Sequence, residues 1–268
     1  MKLINPILAI ALLALLPAGL SYAQTSPAAA AKKSPAAAAK TASSPVSATS
    51  PAPAATAPAT SAAPARTDVY HVHFTHAAPG KANALADSLK QPNPNSPIPG
   101  HAVLLRHQDG DSWDYVAIEH LGLKATLEAV RPAPPIAARD LSDWHTDTYV
   151  SGPAWADFAK ALGISEGAGK SAIYIVSVYR TIPGHREQLD EILSTPTAGD
   201  PAAGNVVLQH LEGAAWTFMG VSRYATWEDF VKSETNAAAE QAKGAGDWAK
   251  LREHSSYHTD TLADRIAP

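Results

Sequence analysis

The sequence predicts an α+β fold built from two consecutive strand–helix–strand–strand–helix–strand copies, and three repeated features carry that prediction. The string aromatic-His-Thr-Asp-Thr occurs as Trp144-His145-Thr146-Asp147-Thr148 and again as Tyr257-His258-Thr259-Asp260-Thr261. The pattern His-x-acid-Gly-x-x-Trp runs from His107 to Trp113 and again from His210 to Trp216. Two alternating β-rich runs, Val69–Phe74 and Ile173–Val178, open the copies. Self-similarity over this length marks a duplicated module.

The folded part starts late in the chain. Residues 1–23 read as a secretory signal peptide: Lys2 supplies the positive start, Ile7 to Leu16 an apolar core, and Ser21-Tyr22-Ala23 a small-x-small cleavage site. Pro6 and Pro17 bracket an apolar run shorter than the ~20 residues of a spanning helix, so no membrane span is expected after cleavage. The expected location is therefore periplasmic or secreted. Residues 24–66 are almost entirely Ala, Pro, Ser, Thr and Lys, a composition expected to form a disordered tether. With no cysteine, neither disulfides nor thiolate metal sites are available.

Charge excludes one class of partner. Residues 1–66 hold five bases and no acid, leaving 16 bases against all 25 acids in the remainder, a net of −9. Binding a phosphate backbone requires a basic footprint, so nucleic acid is not an expected partner.

The first copy is placed at 67–152, a connector at 153–171 and the second copy at 172–268. Each opening strand is followed by a helix whose Leu pair (Leu85 and Leu89; Leu189 and Leu193) repeats at i, i+4, facing the sheet. Gly110 and Gly213 supply the positive φ of tight hairpins between the second and third strands. A second helix follows, with Trp227 and Phe230 expected on its packing face in the second copy. The His-Thr-Asp-Thr strand closes each copy. Trp113 and Trp216 are read as core or seam residues. Gly167-Ala168-Gly169 lacks a preceding strand and reads as linker.

Each copy thus has the ferredoxin-like βαββαβ pattern, a four-stranded antiparallel sheet with both helices on one face. The opposite apolar face needs a second sheet, which the second copy supplies. In topology and duplication the chain resembles the dimeric α+β barrel superfamily, which includes antibiotic-biosynthesis monooxygenases and haem-degrading monooxygenases. The resemblance covers about residues 67–268. It implies that two tandem repeats form within one chain the barrel usually made by two, so that a monomer with an internal pseudo-dimer is expected. The Asn, Trp and His arrangement of haem-degrading members has no assigned counterpart, and no site residue carries over.

Candidate chemistry lies in the histidines. On a strand, His145 and Asp147 share a face, as do His258 and Asp260. Each pair reads either as a carboxylate-oriented imidazole or as a structural network tying the last strand to the barrel. His71 and His73 share a face of the first strand, whereas their counterparts Ile175 and Ser177 have no imidazole. With the first strand between the third and fourth, His71 and His73 are expected near His145 and Asp147, or near Glu119 and His120. Three histidines (His71, His73, His145) plus a carboxylate suit Zn²⁺, Fe²⁺ or Ni²⁺. The eight ligand-pocket candidates are therefore His71, His73, His145, Asp147, Glu119, His120, His258 and Asp260. The sequence points first to an exported barrel that binds a small molecule between its sheets or is non-catalytic. The alternative is a monooxygenase-like or metal-dependent enzyme, with haem or a divalent metal as cofactor, and one site in the first copy.

Overall fold

The protein is described by a computed structural model, in which residues 65–124, 141–164 and 172–268 are described. The expected signal peptide, nearly all of the tether, the second helix of the first copy and the Gly167–Gly169 linker lie outside these residues.

Among the described residues eight strands and five helices are defined in chain order. They are β1 (Asp68–Ala77), α1 (Ala82–Leu89), β2 (Ala102–Asp109), β3 (Tyr115–Leu123), β4 (Ser142–Gly152) and α2 (Trp155–Ala161). There follow β5 (Ile173–Thr181), α3 (Arg186–Ser194), β6 (Gly204–Glu212), β7 (Phe218–Tyr224), α4 (Trp227–Ala242), α5 (Asp247–His254) and β8 (Ser255–Ala267). The strands form a closed antiparallel barrel in the order β1-β3-β2-β8-β5-β7-β6-β4. Closure leaves no unpaired strand edge among the described residues. Among the described residues no helix is long and apolar enough to cross a membrane.

Alternation along each strand sorts side chains between the interior and the outer layer. From β1 the residues Tyr70, Val72 and Phe74 enter the barrel core, joined by Val116 and Ile118 of β3, Tyr174 and Val176 of β5, and Met219 and Val221 of β7. The opposite faces carry two smaller apolar layers. Leu85 and Ala86 of α1 cover Leu104 and Tyr115, while Leu189 of α3 covers Tyr179 and Phe218. Fully burying a side chain such as Leu189 contributes roughly 1.5–3 kcal/mol.

Three findings refine the sequence reading. The connector is part of the core: α2 follows β4 directly and places Phe158 and Leu162, both fully buried, among the interior residues. The space between the two strand sets, expected to offer a pocket, is packed with Tyr70, Tyr174, Phe158, Leu162 and Met219, all fully buried. The expected packing face of α4 is also corrected. Trp227 is 57% exposed, and only Phe230 reaches back to the ring of Tyr224, at 5.6 Å. Trp227 stands in the first helical turn, after the Thr226 cap that accepts from the Asp229 amide, and is left to solvent there.

The repeated motifs meet each other at the two seams where β2 adjoins β8 and β6 adjoins β4. Thr148 Oγ1 accepts from the amide of Ala214 in the β6–β7 turn, and Thr261 Oγ1 accepts from the amide of Asp111 in the β2–β3 turn. Gly110 (φ +128) presses on the backbone of Asp260 and Thr261, and Gly213 (φ +118) on that of Asp147 and Thr148. Beside each turn an imidazole meets an indole edge-on: His107 with Trp113 and His210 with Trp216, both at 5.7 Å. The hairpin motif of each half docks on the His-Thr-Asp-Thr strand of the other.

Candidate metal centre

The outward face of β1 carries His71 and His73 because Tyr70, Val72 and Phe74 take the inward positions. Strand register then chooses their neighbours. His73 stands opposite Asp147 of β4, and His71 opposite Glu119 of β3. Asp147 Oδ1 receives both imidazoles, His71 Nε2 at 2.8 Å and His73 Nδ1 at 2.9 Å. His145 Nε2 lies 3.5 Å from Asp147 Oδ2, and its ring stacks on His73 at 5.1 Å. Glu119 Oε2 is 3.9 Å from the remaining ring nitrogen of His71.

The hydrogen bonds from His71 and then His73 hold the Asp147 carboxyl far below the usual carboxylate range. The two histidines are partly covered, with side chains 15% and 24% exposed, whereas Asp147 is 47% exposed. One side of the cluster is therefore fixed by the barrel wall and the other is open to solvent.

One ligand atom from each of His71, His73 and Asp147 falls within 4.8 Å of the other two. Metal bonds of ~2.1 Å put neighbouring ligand atoms ~3.0 Å apart in octahedral and ~3.4 Å apart in tetrahedral geometry, slightly wider than the spacing of each nitrogen from the shared oxygen. Two imidazoles and a carboxylate form a donor set for divalent transition metals, with positions left for water or substrate. Glu119 is placed to orient His71 as an outer partner.

The other candidates go elsewhere. His120, adjacent to Glu119 on β3, points to the opposite side of the wall and lies inside, where its Nε2 bonds Asp68 Oδ2 at 2.8 Å. The expectation that His71 and His73 approach Glu119 and His120 together fails because successive strand residues alternate faces. His258 and Asp260 occupy the corresponding place on β8, with a nitrogen–oxygen separation of 3.6 Å. Asp260 there accepts from Ser177 Oγ at 2.6 Å, the hydroxyl standing where His73 stands in the first half. Serine bonded to a carboxylate rather than to an imidazole is not an activated nucleophile.

Sequence reasoning passed over Asp68, His101 and Trp155. Asp68 and His120 are buried, His101 Nδ1 lies 3.1 Å from His120 Nδ1, and the indole of Trp155 stacks on both imidazoles. These residues have no equivalents in the repeated motifs. The only available sequence signal was that His101 and His120 lie outside the duplicated patterns.

Comparison with solved structures decides the architecture. A crystal structure of an anthrone oxidase-like protein matches with TM-score 0.51 and 13% identity, covering 75% of this chain and 92% of that one. The likeness is one of fold, an α+β barrel. A proposed monooxygenase from Lactobacillus acidophilus NCFM also matches, with TM-score 0.39 and 10% identity over 74% of this chain and 94% of that one. No protein-family model and no curated protein matches the sequence.

Proposed function

We propose that this chain is an exported divalent-metal-binding barrel with a single site in its first half. The carrying observation is the convergence of His71 Nε2 and His73 Nδ1 on one oxygen of Asp147. His71 Nε2, His73 Nδ1 and Asp147 would hold the ion, each imidazole then keeping its proton on its other ring nitrogen, while His145 stands beside this trio, 3.5 Å from Asp147 Oδ2. Donors of this kind suit Zn²⁺, Fe²⁺ or Ni²⁺ rather than haem, which needs a broad apolar slot as well as an axial ligand.

The architecture behind the proposal is two tandem ferredoxin-like repeats forming an internal pseudo-dimer. The barrel order supports it, since each half contributes its strands in the same sequence, fourth-first-third-second. A monomer follows from closure within one chain. Residues 1–23 then act in export and residues 24–66 as a spacer from the surface to which the protein is delivered.

A second reading makes the site an enzyme. Two histidines and one carboxylate on an open face leave room for a substrate beside the ion, and the matched fold includes an oxidase-like protein. The metal reading is tested by equilibrium dialysis of the purified chain against Zn²⁺, Fe²⁺ and Ni²⁺, followed by elemental analysis. One ion per chain is expected, falling to none in His71→Ala; no stoichiometric ion in either protein contradicts it. Substrate turnover by the loaded chain separates the two readings.

A further inference from the structure

The inward cluster at the end of β1 has a protonation limit written into its geometry. Asp68 Oδ2 accepts from His120 Nε2 at 2.8 Å and from the Trp155 amide at 3.1 Å, while Oδ1 accepts from Thr67 Oγ1 at 2.9 Å. An ionised carboxylate only accepts, so His120 must carry its proton on Nε2. Its other nitrogen, Nδ1, faces His101 Nδ1 at 3.1 Å. A bond between two ring nitrogens contains one proton, so one imidazole donates and the other accepts. Two protons would set two N–H donors against each other, both in a poorly solvated place.

The pair is also a clamp. The Trp155 ring lies nearly parallel to His101 at 4.5 Å and to His120 at 5.4 Å. Tyr70 donates its hydroxyl to the Pro153 carbonyl at 2.7 Å. Together these contacts seat the start of α2, whose Phe158 and Leu162 fill the barrel interior. We propose that the His101–His120 pair is a proton-operated latch, closed on Trp155 with one bridging proton and released by a second.

The surroundings set the direction. Burial lowers the basicity of His120, the hydrogen bond and charge of Asp68 oppose this, and the neighbouring His101 lowers it further. On β1 the ionisable groups facing the pair are Asp68 and Tyr70. Tyr70 is held neutral well above its usual range by burial, then by Asp68 and by Asp157 of α2. A histidine whose folded pKa is depressed adds stability that is present above its unfolded value of about 6.5 and lost as pH falls below it. The latch therefore opens on acidification.

The test is amide hydrogen exchange of residues 153–162 in the full chain at pH 7.5 and pH 5.0, corrected for intrinsic rates. A chelator is included so that the outer metal site plays no part. One additional proton changes protection by up to about tenfold per pH unit. The wild type is expected to lose about tenfold or more of its protection there, relative to core amides of β5. His101→Gln presents either an N–H or a carbonyl to His120 and so suits both protonation states; its protection should change less than twofold. His101→Asn, which likewise offers either an amide N–H or a carbonyl, should behave the same way and serves if the Gln variant does not fold. Equal wild-type protection at the two pH values, or the same acid loss in both variants, overturns the latch.

Discussion

Gly213, at the tip of the β6–β7 hairpin, packs directly against the backbone of Asp147, the residue whose carboxylate gathers His71 and His73. The second half of the chain thereby braces the strand that carries the candidate site in the first. Gly110 makes the reciprocal contact with Asp260.

This contact predicts an effect of Gly213→Ala on stability. A Cβ at this position meets backbone that cannot swing aside, and φ +118 is unfavourable for any side chain. Backbone strain of this kind costs of order 1–3 kcal/mol, with steric displacement in addition. Urea unfolding should show a loss of at least that size, with Gly110→Ala similar; a wild-type midpoint in both variants would remove the docking role assigned to the hairpins.

The asymmetry between halves predicts a gain of function. Ile175 and Ser177 stand in the second half where His71 and His73 stand in the first, and Asp260 and His258 are already present. The double substitution Ile175→His with Ser177→His should raise metal stoichiometry from one ion per chain to two. Unchanged stoichiometry in a folded double variant would mean that the donor set alone does not make the site.

The Asp147 carboxylate predicts a pH dependence. Its folded pKa lies far below normal because His71 and His73 donate to it. A depressed carboxyl contributes stability that is present above its unfolded value of about 3.9 and is lost as pH falls through the folded value. Metal-free Asp147→Asn should therefore be less stable than wild type at pH 7 by a gap that holds down to about pH 4 and narrows from there toward pH 2. The half-exposed position of Asp147 keeps the effect modest. A gap that stays constant over that range would show that the two hydrogen bonds do not set the carboxyl's ionisation.

Much of the barrel was legible because it rests on short-range pattern. The alternation of Tyr70, Val72 and Phe74 with His71 and His73 separates the interior from the outer face without any knowledge of the fold. The matching turns at Gly110 and Gly213 set the hairpins. What pattern could not give was which side of the wall each neighbour takes once strands pair. Glu119 and His120 read equally well as partners of His71, yet only Glu119 shares its face. The α2 plug was hidden because Trp155, Phe158 and Leu162 belong to no repeat, and their burial depends on tertiary packing alone. The His-Thr-Asp-Thr strings combine two readings in one run. Their second Thr secures the opposite hairpin, while the chemistry at Asp147 depends on histidines supplied by another strand.

X-ray absorption at the metal edge of the loaded chain, Zn²⁺ or Ni²⁺ at one equivalent, tests the central claim most directly. The site predicts two or three imidazole nitrogens and a carboxylate oxygen at ~2.0–2.2 Å, with the imidazole scattering reduced in His73→Ala. A shell of water oxygens without imidazole scattering, or a spectrum unaltered by His73→Ala, would contradict a metal centre built on His71, His73 and Asp147.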